Sequence, residues 1–136
     1  MDFKKVCIII PCFNEALTLP LMIKQIKKID SKIQILVVDN ASTDNSYTIA
    51  SKFGVKVIQE SKRGKGYAVK KGFSNLGTDC QVVVLVDGDD TYDLSNLKQA
   101  IKLVYEHGYD MVVGTRVAKV NNLDPRSKVF RAGHKT

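Results

Sequence analysis

The sequence lacks several features that would each have assigned it elsewhere. No apolar run approaches the ~20 residues needed to cross a bilayer. Residues Met1 to Lys5 lead directly into a short apolar stretch, so no secretory signal is expected. Cysteine is scarce: Cys7, Cys12 and Cys80 are odd in number and show no CxxC spacing. That pattern argues against a disulfide framework or a zinc site and for a reduced, cytoplasmic setting. Repeats, low-complexity tracts and internal linkers are also missing. Basic residues outnumber acidic ones, 21 to 14, for a net charge of +7, yet they form no block. Lys24, Lys27, Lys28, Lys98 and Lys102 fall on the expected solvent faces of helices, which argues against a nucleic-acid-binding stripe. The excess favours an anionic ligand or an anionic membrane surface.

What is present is an alternation of short apolar runs and helical periodicities. At 136 residues the chain has room for one domain with a sizeable core. Val6 to Ile10 reads as a first strand ended by Pro11. Leu19, Met22 or Ile23, Ile26 and Ile29 follow at helical spacing. Ile33 to Val38 makes a second strand, leading through a polar sextet, Asp39 to Asp44, into a helix with Tyr47, Ala50 and Phe53 on one face. Val55 to Ile58 is a third strand. Arg63-Gly64-Lys65-Gly66 opens a helix with Val69, Phe73 and Leu76 on its stripe. Val82 to Val86 reads as a central strand buried on both faces. A helix carrying Leu94, Leu97, Ile101 and Val104 precedes a fifth strand, Asp110 to Gly114. Such alternation predicts an α/β fold: a doubly wound, mainly parallel sheet with helices on both faces.

Chemistry concentrates where the strands end. Asp87, Asp89 and Asp90 place three carboxylates within four positions, a crowding that calls for a cation or hydrogen-bond donors. Asp87 and Asp89 flank a Gly that permits a tight exit turn, so both could approach one hard divalent ion. Asn14-Glu15 and Asp39-Asn40 end two other strands. In a parallel sheet all these ends share one edge, and ligands sit just beyond it. Arg63-Gly64-Lys65-Gly66 adds cations and bare backbone at a helix start, suited to phosphate. It lacks the Ser or Thr that a P-loop carries after Gly-Lys. Arg116 brings a further cation to the same edge. Carboxylates for a metal beside cations for phosphates suit a nucleoside diphosphate.

These stretches carry a family resemblance. Ile8 to Glu15, Val37 to Asp44, Arg63 to Ala68, Asp87-Gly88-Asp89 and Val113 to Arg116 resemble, in order, the motifs of family 2 glycosyltransferases of GT-A fold. The wording around Asp87 to Asp93 and Gly114-Thr115-Arg116 is similar to the polyprenyl-phosphate branch. The resemblance implies that Pro11 and Glu15 border the nucleoside pocket and that Asp39 accepts a hydrogen bond from the base. It implies Arg63 and Lys65 beside the ribose or phosphates, and Asp87 near ribose and metal. Asp89 would bind Mg²⁺ or Mn²⁺ directly, and Thr91 takes the place of a Gln that helps hold the ion. Arg116 would reach the sugar phosphate, and Arg131 matches an arginine handling donor or acceptor phosphate.

The expected partners are then a UDP- or GDP-sugar and a lipid phosphate at a membrane surface, with self-association and without nucleic acid. The expected organisation is a nucleotide-sugar core over 1–116 and a basic, irregular tail over 117–136 that begins an acceptor side. On this reading the chain is a donor-binding fragment that does not turn its donor over alone. A sugar-phosphate nucleotidyltransferase would need a Gly-rich loop after the first strand, where Pro11 to Glu15 has none. A regulatory receiver module would need its acceptor Asp after the third strand, which runs instead into Gln59-Glu60-Ser61.

Overall fold

A computed structural model describes residues 1–88, 94–109, 112–114 and 129–131. It contains two compact units, one within Asp2–Leu94 and one comprising Met1 and the described residues after Leu94. In the first, β1 (Val6–Cys12), β2 (Gln34–Asp39), β3 (Lys56–Gln59) and β4 (Val82–Leu85) form one sheet in the order β3-β2-β1-β4. Every pairing is parallel, with Ile9 opposite Leu36 on one side and Leu85 on the other. Three helices connect the strands: α1 (Leu19–Ile29), α2 (Ser46–Ser51) and α3 (Lys65–Ser74). The first two connections step one way along the sheet and the third steps back across two strands. Right-handed crossovers therefore place α1 and α2 on one face and α3 on the other.

Burial follows strand position. All seven residues of β1 are buried, because neighbours pair on both edges and helices cover both faces. On one face Ile9, Leu36 and Val38 pack with Ala68 of α3, and Ile58, Leu76 and Val83 close the cluster. Leu19, Met22, Ile23 and Ile26 form the buried stripe of α1. The second unit contains α4 (Leu97–Tyr105), in which Leu97 and Ile101 are buried one turn apart.

Several expectations are corrected. The stretch expected at the centre of the sheet is β4, which pairs on one edge only among the described residues, while β1 is the fully buried strand. Val83 and Val84 are half-buried and Leu85 is 48% exposed, so β4 is not buried on both faces. The inward face of α3 is not Val69 and Phe73 but Ala68 and Gly72. A Cβ on Gly72 would lie 2.7 Å from Ile9 Cγ2, so the helix rides close to the sheet on its smallest residues and turns Phe73 outward. In α2, Ala50 and Ser46 are buried whereas Tyr47 is exposed. Among the described residues the fifth strand, β5 (Val112–Gly114), joins no parallel ladder. It pairs antiparallel with β6 (Val129–Arg131), which lies in the stretch expected to be irregular. A three-residue strand is too short to reveal a period in sequence.

Candidate functional site

The strand order reverses between β1 and β4, and the carboxyl ends of strands at such a reversal are the usual ligand position in these sheets. A cleft of about 350 Å³ opens there. Pro11, Cys12, Phe13 and Glu15 line it from the end of β1, Asn40 from the end of β2, and Asp87 from beyond β4. Arg63, Gly64 and Lys65, at the start of α3, form the remaining wall. Gly88 allows the two sides to meet: its N–H donates to the Pro11 carbonyl at 3.3 Å, and a Cβ there would come within 3.1 Å of Cys12 Cβ. Thr18 Oγ1 donates to the Gly88 carbonyl at 2.6 Å and ties the exit turn to the chain entering α1.

Cations and acids face each other across this cleft. The Lys65 ammonium forms an ion pair with Asp87. The Arg63 guanidinium lies over the Phe13 ring, 3.9 Å from its centroid, the geometry of a cation–π stack. Beside the cleft the Asp39 side chain is buried at the end of β2, where its carboxylate accepts from the Cys12 thiol at 3.7 Å. Burial, and then the neighbouring Asp39 charge, push the Cys12 thiol up to about 12, so it stays protonated and remains a donor.

A second polar cluster stands on the same edge. Asn14 Oδ1 accepts from the Thr43 and Asp44 N–H groups at 2.8 and 3.2 Å, and the Asn14 N–H donates to Ser42 Oγ at 3.0 Å. Asp44 receives Ser46 Oγ at 2.5 Å, the Ser46 N–H at 2.9 Å and the Ala16 N–H at 3.3 Å. Burial alone would raise the Asp44 carboxyl, but these hydrogen bonds outweigh it and hold the group below the ordinary carboxylate range.

Of the residues singled out from sequence, Pro11, Glu15, Arg63, Lys65 and Asp87 line one cleft, and Asp39 lies buried beside it, bonded to one of the lining residues. Asn14, on an acidic and amide-rich strand end, is a brace between loops and not part of the lining. Asp89, Asp90, Thr91 and Arg116 lie outside the described residues, and Arg131 is the last residue of β6. Sequence reasoning passed over Phe13 as a site residue and over the bracing role of Asn40. An aromatic following Pro-Cys at a strand end, and an amide directly after a strand-end acid, were the available signals.

Asp87 also bears on metal binding. Its carboxylate already receives a cation, the Lys65 ammonium, so it is placed to meet positive charge within the cleft. Among the described residues no group of three metal-type ligands forms. The Asp87 carboxylate is an oxygen donor of the kind a hard divalent ion takes.

The four parallel strands with their helices match the GT-A, Rossmann-like fold. The sequence model of the family described as "Glycosyl transferase family 2" matches residues 7–134, and the chain belongs to that family. Protein RfbJ of Shigella flexneri is 35% identical over 130 residues, covering 96% of this chain and 95% of that protein. The dolichyl-phosphate hexose transferase of Haloferax volcanii is 33% identical over 133 residues, 97% of this chain but 56% of the relative. Among solved structures, a Pyrobaculum calidifontis mannosyltransferase in complex with GDP-Man and Mn²⁺ superposes with a TM-score of 0.69 at 24% identity. That match covers 81% of this chain and 34% of the other. No helix among the described residues is long and apolar enough to cross a membrane.

Proposed function

We propose that the chain binds a nucleoside-diphosphate sugar, UDP- or GDP-linked, with Mg²⁺ or Mn²⁺ in this cleft, as the donor side of a glycosyltransferase. The observation that carries the reading is the pairing of Lys65 with Asp87 opposite the Phe13–Arg63 stack at the strand-order reversal. Family membership and a similar fold solved in complex with GDP-Man and Mn²⁺ support it. Pro11, Phe13 and Glu15 border the nucleoside, and Asp39 accepts a hydrogen bond from the base. Arg63 and Lys65 balance diphosphate charge. Asp87 and Asp89, spaced as Asp-x-Asp, hold the ion with Thr91, while Arg116 and Arg131 serve the sugar phosphate or the acceptor. Residues 1–116 form the donor part and 117–136 lead into the acceptor side.

When bound, a divalent ion supplies Lewis-acid stabilisation of the charge that develops on the departing nucleotide. The protein's own part is to orient the donor so that the anomeric carbon faces the acceptor. A lipid phosphate is the proposed acceptor, met at the cytoplasmic face of a membrane by a self-associating protein. Its oxygen is already ionised and needs no general base, unlike a sugar hydroxyl. Calorimetric titration of UDP and GDP with and without Mn²⁺ tests the reading. Metal-dependent binding of one nucleotide is expected, and no heat from either would overturn it.

A further inference from the structure

We infer that Asn40 is a positioning residue for the nucleotide: its buried amide sets the Arg63 guanidinium against Phe13 and so fixes one wall of the donor cleft. The inference rests on the donor reading and adds to it a residue that holds the wall in place.

Asn40 directly follows β2 and is 6% exposed. Its backbone N–H donates to the Cys12 carbonyl at 2.9 Å, which places it against the residue preceding Phe13. Its side chain reaches the loop between β3 and α3. Nδ2 donates to the carbonyls of Glu60 at 3.1 Å and Lys62 at 2.6 Å, and Oδ1 accepts the Gly64 N–H at 3.0 Å. Arg63 therefore sits between two residues held by the same amide. Two carbonyls require two donors and the N–H requires an acceptor; at this size only an amide offers all three. An aspartate would turn a carboxylate toward two carbonyl oxygens, and an alanine would leave all three groups without this partner.

Without the bracket the arginine has many rotamers and a mobile backbone from which to choose. With it, the guanidinium is delivered 3.9 Å from the Phe13 ring before any ligand arrives. Binding then incurs less ordering cost, which is the physical content of preorganisation.

The test is a double-mutant cycle read by calorimetry with UDP and GDP in Mn²⁺, using wild type, Arg63→Ala, Asn40→Ala and the double variant. Asn40→Ala is expected to lower affinity about tenfold or more. Arg63→Ala lowers affinity alone but adds little once Asn40 is gone, because residues acting through one another are non-additive. Amide hydrogen exchange at Gly64 should quicken in Asn40→Ala without ligand. Lys27→Met, which removes a 2.7 Å bond to the Phe53 carbonyl outside the cleft lining, should lower Tm while leaving affinity and the coupling unchanged. If Asn40→Ala does not fold, Asn40→Asp keeps the acceptor for Gly64, loses both donors and is expected to uncouple Arg63 in the same way. Additive losses, or wild-type affinity in Asn40→Asp, overturn the inference and leave the donor reading intact. Failure of the wild type to bind either nucleotide overturns both.

Discussion

Two polar clusters sit on the same edge of the sheet and use the same kinds of residue for different ends. Asn14, Ser42, Asp44 and Ser46 knit the loop after β1 to the loop after β2, and nearly every bond runs from a side chain to a backbone N–H or a short hydroxyl. Arg63, Lys65, Asp87 and Phe13 instead meet through long side chains across an opening. Short, local, backbone-directed bonds spend the charge of an acid on the fold, as the lowered Asp44 carboxyl shows. The Asp87 carboxylate instead pairs with an exposed lysine and lines the cleft, where its charge faces a ligand. An acid at a strand end is therefore not by itself a site residue; the nature of its partner decides.

The largest expected effect on this contrast comes from the cleft. Asp87→Ala should weaken Mn²⁺-dependent nucleotide binding by about two orders of magnitude, on the order of 3 kcal/mol, with Tm nearly unchanged. Calorimetry and a melting curve on one preparation read both, and a collapsed Tm with intact affinity would reverse the assignment of the two clusters.

Asn14→Ala should do the converse. It removes an acceptor shared by two backbone N–H groups and is expected to cost about 1–2 kcal/mol of stability, less than a buried loss because the bonds are exposed. Urea unfolding measures the cost, and nucleotide affinity should stay within about threefold, a difference of roughly 0.6 kcal/mol.

The pH dependence separates the clusters further. The Asp44 carboxyl is lowered in the fold, so its stabilisation is present above the unfolded pKa and is lost as pH falls through the folded one. The Cys12 thiol is raised from 9.0 to about 12, so its contribution is full below 9 and lost as pH climbs toward 12. Urea midpoints should accordingly fall at both extremes. Asp44→Asn should flatten the acid limb and Cys12→Ala part of the alkaline limb, where Cys7, also raised to about 12 chiefly by burial, contributes as well.

The smallest stability effect is expected at Lys65. Lys65→Met removes an ion pair whose lysine is mostly exposed and should shift stability by less than about 1 kcal/mol. Its affinity for nucleotide should still drop measurably; an unchanged affinity would place Lys65 outside the donor's reach.

The order of elements in the first unit and the edge on which the acids gather follow from local features of the chain. Val6 to Ile10 and Ile35 to Val38 are apolar runs of strand length, and Leu19 to Ile26 repeats at a helix's period, so each segment carries its own instruction. Parallel strands then bring their carboxyl ends to one side whatever the details of packing. What the tertiary structure alone decided depends on residues far apart in the chain. The turn of α3 onto Ala68 and Gly72 is set by Ile9, some sixty positions earlier. Phe13 meets Arg63, Asn40 meets the 60–64 loop, and Lys65 meets Asp87 only once the sheet has formed. The antiparallel pairing of β5 with β6 is of the same kind. A strand's pattern records which faces are buried, but not which neighbour buries them. That choice, and with it which acids brace the fold and which face a ligand, is made by contacts that no local pattern encodes.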